Sequence, residues 1–443
     1  MNYLAVTSII YIFANGKPQL DTFMKQFFKY VFASFVGTLL FSIIMGCFAF
    51  ITIIGMIAST QTTNEIKDNS VLVLNLSGQL TERSEDNNII SQLQGKIGTI
   101  GLDNLLSAID KAKNNKNIKG IYIEAGAFTA DSYASLQAVR NALVDFKKSG
   151  KWIITYADIY TQGTYYLSSS ANKVYLNPQG QIDWHGLSSQ PVFVKDLLKK
   201  FGVKMQVMKV GTYKSATEMF TGDKMSDANR EQTSAYLNSI WGTITKDVSA
   251  TRNISVSSLN AYADSMITFA APTDYLKYKL VDGLLYTDQV KAVVKKQLGL
   301  DKDDDINQVS IDDMQGVEDE GNDNSDNQIA VYYAYGDIVD GAAGGLFAQG
   351  HTIDAQVVCK DLEKLANDKD VKAVVLRVNS GGGSAYASEQ IWHQIMELKK
   401  QKPVVVSMGG MAASGAYYIS APSNWIVAEP TTLTGSIGIF GMF

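Results

Sequence analysis

Ser414 lies in the run Ala412-Ala413-Ser414-Gly415-Ala416, where small side chains surround a hydroxyl at a predicted strand-to-helix turn. A serine on such a turn can attack a carbonyl carbon if a neighbour takes its proton and N–H donors hold the oxyanion. The amide of Gly415 would point toward the attacked atom. A second glycine cluster, Asn379-Ser380-Gly381-Gly382-Gly383-Ser384, follows the apolar run AVVLRV. Its glycines permit positive φ and close backbone approach, so this loop could supply a second N–H. The cluster lacks a P-loop lysine and a GxGxxG pattern, which speaks against a phosphate cradle. The plainer reading of Ser414 is a helix N-cap.

A serine hydroxyl needs a base. The chain has three histidines. His393 falls inside the helical stretch IWHQIM, His185 stands beside Trp184, and His351 sits in a polar turn. None has a clear carboxylate partner by sequence. Lys214, in Gly211-Thr212-Tyr213-Lys214-Ser215-Ala216-Thr217-Glu218, follows the apolar strand MQVMKV and is flanked by small residues and an aromatic. A lysine acts as a general base only when neutral, and desolvation lowers its pKa toward the working range. An ordinary surface lysine is the alternative.

The elements that must position these groups occur twice. Gln162 to Lys173 (QGTYYLSSSANK) aligns with Ser414 to Trp425 (SGAYYISAPSNW). At the same offset Gly163, Tyr165, Tyr166, Ser168, Asn172, Pro178 and Gly186 meet Gly415, Tyr417, Tyr418, Ser420, Asn424, Pro430 and Gly438. Upstream, DKAKNNKNIKGIYI (110–123) answers EKLANDKDVKAVVL (363–376), and VLVLNLSGQL (71–80) answers AVYYAYGDIV (330–339). Each copy alternates strand and helix, which predicts an α/β fold with helices packed on sheets. The first copy has Gln162 at the serine position and Gly126-Ala127-Phe128 at the loop, so only the second could be a serine enzyme. The second copy breaks off at Phe443, five residues after Gly438, so the chain reads as lacking that copy's C-terminal half.

The 443 residues allow two or three domains, and 46% hydrophobic against 19% charged residues allows real cores. A net charge of −5 gives no hint of nucleic-acid binding. Two cysteines, Cys47 and Cys359, suggest no disulfide framework. Residues 31–58 form a 28-residue run without charge, long enough to span a bilayer with tilt and too long for a cleaved signal peptide. Lys17, Lys25 and Lys29 precede it, while Glu65, Lys67 and Asp68 follow, which orients the short N-terminus (1–30) to the cytoplasm. Residues 1–23 read as an upstream mis-start, since MKQFFKYVF from Met24 looks like a natural beginning. Residues 70–300 form the expected first domain and 329–443 the second. Between them 301–328 carries eleven acidic residues and one lysine and reads as a mostly solvated linker; its spacing does not match an EF-hand.

The segments GTYKSATEMF (211–220), DKMSDANRE (223–231), NSGGGSAYASE (379–389) and AASGAYYISAPSNWIVAEPTTLTGSIGIFG (412–441) together resemble the S49 serine peptidase family, in the long double-domain form of the signal peptide peptidases. The resemblance implies tandem duplicated ClpP/crotonase-like ββα spiral domains after one N-terminal transmembrane helix. It implies a Ser/Lys dyad with Ser414 as nucleophile and Lys214 as general base, an oxyanion hole from the amides of Gly383 and Gly415, and no cofactor or metal. Gly381 stands where the family usually has proline, a departure that removes no N–H donor. The implied substrates are cleaved signal peptides and other apolar peptides. The implied setting is the cytoplasmic (inner) membrane, with the catalytic part on the extracytoplasmic side and a homo-oligomer, tetrameric in the family. Two other readings stand beside this one: a catalytically silent scaffold, and a non-hydrolytic crotonase-like protein that binds acyl-CoA.

Overall fold

The computed structural model describes residues 25–48, 50–52, 65–84, 98–318, 325–341 and 351–443. Two compact units emerge, Met1–Thr63 and Asn64–Phe443. In the first, Lys25–Thr52 is a helix of 28 residues, long and apolar enough to cross a membrane. Its apolar side chains, Phe32, Phe35, Leu40 and Ile44 among them, are exposed. Two of its hydroxyls bond within the helix: Thr38 Oγ1 donates to Ser34 O at 2.9 Å and Thr52 Oγ1 to Phe48 O at 2.8 Å. The helix begins six residues before the charge-free run expected at 31–58, taking in Lys25 and Lys29. Residues 53–58 of that run, and the expected mis-start 1–23, lie outside the described residues.

The second unit is mixed α/β with parallel sheets. The front sheet has seven strands. Its backbone is the series Ser70–Thr81, Ile118–Ala130, Trp152–Tyr160 and Lys173–Ile182, each parallel to the next. The rear sheet has four, in the series Gln328–Tyr335, Val371–Ser380, Val404–Ala412 and Trp425–Val427, again all parallel. The two series pair in the same order. Parallel neighbours need a crossover, and amphipathic helices supply it. Leu102–Asn114 buries Leu105, Ala108, Ile109 and Ala112 on one face, and its counterpart Ala355–Asn367 buries Val358, Leu362 and Ala366. Each sheet has its own core, one around Leu72, Ile121 and Tyr165, the other around Val374, Val406 and Ile391.

The internal alignment is visible atom by atom. Asn172 accepts from Ile153 N at 2.8 Å and its own amide donates to Ile153 O at 2.9 Å. Asn424 does the same with Val404, at 2.9 and 2.8 Å. In both repeats this asparagine closes the end of the short helix onto the strand that delivers the site.

The described part of the acidic stretch 301–328 is mostly exposed, but it is anchored to the front sheet and core. Asn307–Val309 pairs in parallel with Ser70–Leu72, and Val309 and Met314 are buried in the front core. Ser310 caps the turn Ile311–Gln315 through a reciprocal bond with Asp313. A few apolar residues at the right spacing outweigh the local charge, because the carboxylates on the other face stay in water. Residues 319–324 of this stretch lie outside the described residues.

The repeats are joined by a buried ion pair. Arg377 binds Glu82 through Nε and Nη2, and its Nη1 donates to Ser407 Oγ and Met408 O at 3.1 Å. Asn379 Nδ2 donates to Glu82 at 3.2 Å and to Asp131 at 2.8 Å. The front repeat therefore grips the strand that leads straight into the glycine loop.

Candidate active site

Ser414 leaves the strand Val404–Ala412 and opens the helix Gly415–Ser420. Its backbone has φ 51° and ψ −116°, a region that residues with a Cβ rarely occupy. Such strain persists only where the surroundings enforce it, and it concentrates at functional sites. Here the enforcing bonds are Ala413 N to Ser380 O at 3.1 Å and Ser414 N to Ser436 O at 3.1 Å. The hydroxyl makes no capping bond to the helix, so the N-cap reading does not describe it. Ser414 Oγ lies 2.9 Å from Lys214 Nζ and 3.4 Å from Gly438 O.

Lys214 comes from the front half of the chain, 200 residues away. The segment that carries it leaves the front sheet entirely. Its strand, Val207–Lys209, pairs antiparallel with Phe440–Met442 of the rear repeat, with Phe440 opposite Lys209. Gln206 and Phe443 exchange backbone bonds at 3.0 Å in both directions. This two-stranded ribbon brings the amine to the hydroxyl. The MQVMKV run thus forms a strand, but one that serves the other repeat.

The lysine is 2% exposed. Burial lowers its pKa below the ordinary lysine value. Among the described residues no carboxylate lies within ion-pair distance of it. Its polar contacts are Ser414 Oγ and, at 3.4 Å, Ser436 O, and the ring of Phe440 lies 5.7 Å away. A buried amine without a counter-ion favours its neutral form.

The glycine loop lies directly on the nucleophile. Gly382 has φ 99°, and a Cβ there would sit 2.6 Å from Gly415 N and 2.9 Å from Ser414 Cβ. Gly383 has φ 154°, and a Cβ there would meet Ile338 O at 2.2 Å. The loop is pinned by Ile338 N to Gly382 O at 2.9 Å, Ser384 N to Ile338 O at 2.9 Å, and Gly382 N to Ser380 Oγ at 3.0 Å. These bonds leave the amides of Gly383 and Gly415 without an acceptor among the described residues. The Cβ direction of Gly415 falls 3.3 Å from Gly383 N, so the glycine loop and the start of the helix Gly415–Ser420 lie against each other.

None of the histidines joins this group. His185 lies 3.3 Å from Asp183, exposed in the front repeat. His351 stacks on Tyr335 at 3.8 Å and meets Tyr335 O at 2.9 Å. His393 lies within the helix Ala385–Lys399. The sequence reading did not single out Ser436, whose carbonyl meets both the serine amide and the lysine amine, nor Phe440. Both lie inside a segment that carried the resemblance, yet a carbonyl has no side-chain signature.

The front repeat has the same frame with a different filling. Gln162 is buried, and its Nε2 donates to Gly186 O at 3.1 Å and to Tyr133 OH at 2.8 Å. Its Oε1 accepts from His185 N at 3.1 Å and Gly186 N at 2.9 Å. Gly186 and Gly438 align, so the side chains at the two serine positions meet equivalent carbonyls.

The pattern of peptidase family S49 matches residues 145–301 and 396–443. Over 444 residues the chain is 37% identical to Protease 4 of Salmonella typhi, covering 95% of this chain and 70% of that one. Protease 4 of Haemophilus influenzae is 35% identical over 89% of this chain and 66% of its own length. The chloroplastic serine protease SPPA of Arabidopsis thaliana is 30% identical over 84% of this chain and 54% of its own. Among solved structures, a ClpP1 mutant of Listeria monocytogenes overlaps 21% of this chain at 23% identity, with a TM-score of 0.17. Identity at this level, sustained over nearly the whole chain and including both site-bearing segments, means that the chain belongs to peptidase family S49.

Proposed function

We propose that the chain is a membrane-anchored serine endopeptidase that uses Ser414 as nucleophile and Lys214 as general base. The observation that carries this reading is the 2.9 Å separation between a hydroxyl on a strained turn and a buried amine with no counter-ion. A serine beside a desolvated lysine is an activated nucleophile, and hydrogen-bond reach between the two is what the chemistry needs.

The neutral Lys214 amine takes the proton from Ser414 Oγ as the oxygen bonds to a peptide carbonyl carbon. The carbonyl oxygen becomes an oxyanion and receives N–H bonds from Gly383 and Gly415. While Lys214 is an ammonium, Ser436 O accepts from it and the Phe440 ring faces it. The C–N bond then breaks, and the ammonium gives its proton to the leaving amine. Water, deprotonated by Lys214, attacks the acyl-enzyme, and Ser414 recovers its proton as the acid product leaves.

Apolar peptides, above all cleaved signal peptides, are the proposed substrates. Exposed Val210, Tyr213, Ile437, Ile439 and Phe440 flank the two dyad-bearing segments and give an extended apolar chain something to cover. The helix Lys25–Thr52 supports anchoring in the membrane that holds such peptides, with the Asn64–Phe443 unit on the extracytoplasmic side. A homo-oligomer, tetrameric by family resemblance, belongs to the same proposal.

A fluorophosphonate probe tests the assignment. The chain should label once, and Ser414→Ala should abolish labelling and lower peptide hydrolysis by roughly 10⁴–10⁶-fold. Lys214→Met should abolish hydrolysis with the fold intact. Labelling that survives Ser414→Ala, or near-normal hydrolysis by Lys214→Met, overturns the proposal.

A further inference from the structure

The lysine-bearing turn is held on one side by the ribbon with Phe440–Met442. On its other side it meets the N-terminus and first turns of the long helix Asp227–Arg252. Glu218, four residues past Lys214, is 8% exposed. Its carboxylate accepts from Ser226 Oγ at 2.6 Å, Ser226 N at 3.2 Å and Asn229 Nδ2 at 3.0 Å. Ser226 is also the N-cap of that helix, accepting from Asn229 N. Two further pairs flank the contact: Gln232 Nε2 donates to Ser215 Oγ at 2.8 Å, and Tyr213 OH to Glu231 Oε2 at 2.9 Å.

We propose that Glu218 is a positioning residue for Lys214, clamping the turn 214–218 against the N-terminus of the helix Asp227–Arg252 so that the amine stays dry and aimed at Ser414 Oγ. The inference rests on the reading of Lys214 as the base. A buried carboxylate is costly unless its oxygens are bonded, and here three donors converge on it. The site at a helix N-terminus suits an anion as well. A lysine side chain has four rotatable bonds, so its amine stays within reach of one oxygen only if its backbone is fixed and its stem enclosed. The ribbon fixes the chain before Lys214, and Glu218 fixes it after. The charged and titratable groups facing this turn are Lys209, whose Nζ donates to Lys214 O at 3.2 Å, and the Tyr213–Glu231 pair. Burial alone would push the Glu218 carboxyl up, but the bonds from Ser226 and Asn229, with Lys209 nearby, hold it below the usual carboxylate range. The clamp is therefore closed at neutral pH.

The test is Glu218→Gln in the full chain, which keeps the shape but turns an NH₂ toward donors. The expected result is a loss of about 10–100-fold in kcat with KM unchanged, the scale of a small misplacement at a reacting group. The amine should also regain water. Competitive acetylation of Lys214, followed by mass spectrometry in the Ser414→Ala background, should then report its pKa raised by about one unit. Asn229→Ala, which removes one donor, should shift both readouts the same way and by less. Combining the two changes should add little to Glu218→Gln, since both act through one contact. A Glu218→Gln chain with normal kcat, or one that loses rate or melting temperature with the Lys214 amine unmoved, overturns the clamp. Retained hydrolysis by Lys214→Met would instead sink the base assignment, so the two failures are separable.

Discussion

Two turns built on the same frame meet opposite fates in this molecule. At the front, Gln162 belongs to a relaxed helix start whose cap, Thr161, has φ −68° and bonds Thr164 N through its side chain. All four polar contacts of the glutamine are made within the repeat. At the rear, Ser414 sits at φ 51°, makes no cap, and turns its hydroxyl toward an amine from another part of the chain. One turn spends its polar groups on stability. The other leaves two amides without an acceptor among the described residues and turns its hydroxyl toward an amine from elsewhere in the chain. A binding or reacting site needs unspent groups of this kind, and a duplicated fold can hold one because the other copy supplies rigidity.

The sharpest break in the comparison should come from the loop. Gly383→Ala has no room for its Cβ against Ile338 O and must move the amide proposed to bind the oxyanion. Hydrolysis should fall by about 10²–10³-fold, the scale of one lost oxyanion donor, with little change in substrate binding. A variant that hydrolyses normally would remove Gly383 from the site.

The front turn should answer the other way. Gln162→Ala removes the buried amide that bonds Tyr133, His185 and Gly186, and should cost about 1–3 kcal/mol in chemical denaturation. Its rate per folded molecule should not change. A rate loss without a stability loss would show that the front turn takes part in the chemistry.

The smallest effect concerns the cost of keeping a buried amine. Burial places the Lys214 pKa below the ordinary value of 10.5. Hydrolysis should therefore rise with pH through the folded-state pKa and be lost below it, where the amine is an ammonium. Stability follows the same sign. Between the folded-state pKa and 10.5 the unfolded chain binds a proton that the native state does not, so stability climbs with pH across that window. Lys214→Met removes this slope and should stabilise the chain at neutral pH by about 1 kcal/mol, while abolishing hydrolysis. Denaturant titrations of both chains at several pH values check it. A variant less stable than its parent would show that the lysine is paired in a way the geometry does not reveal.

The buried ion pair adds a physical link between the copies. Arg377 and Glu82 are both largely enclosed, and Asn379, the residue before Ser380, joins the same cluster. The front repeat thus contributes to the site twice, through Lys214 and through the footing of the glycine loop.

Much of this was legible along the chain. Repeat spacing, strand–helix alternation and the aligned QGTYYLSSSANK and SGAYYISAPSNW segments announced two copies of an α/β unit with helices packed on sheets, because period is a local property that a sequence carries directly. The small residues around Ser414 and the glycines at 381–383 announced a close approach of backbone, and a Cβ at Gly382 or Gly383 would indeed collide. The acidic stretch, read as a mostly solvated linker, is mostly exposed; but composition averages over residues, and Val309 and Met314 were enough to anchor 307–315 on the front core.

Only the tertiary structure decided which groups would meet. That Lys214 reaches Ser414 depends on the pairing of Val207–Lys209 with Phe440–Met442, a contact across more than two hundred residues with no local pattern to mark it. That the amine is dry depends on the ribbon and on Ser414, Ser436 and Phe440 beside it, because burial belongs to the packed chain and to no residue by itself. The sequence by itself determined the elements and the small side chains that leave space at the turn. Folding decided the distance of 2.9 Å on which the chemistry rests, because distance between remote residues is set by packing.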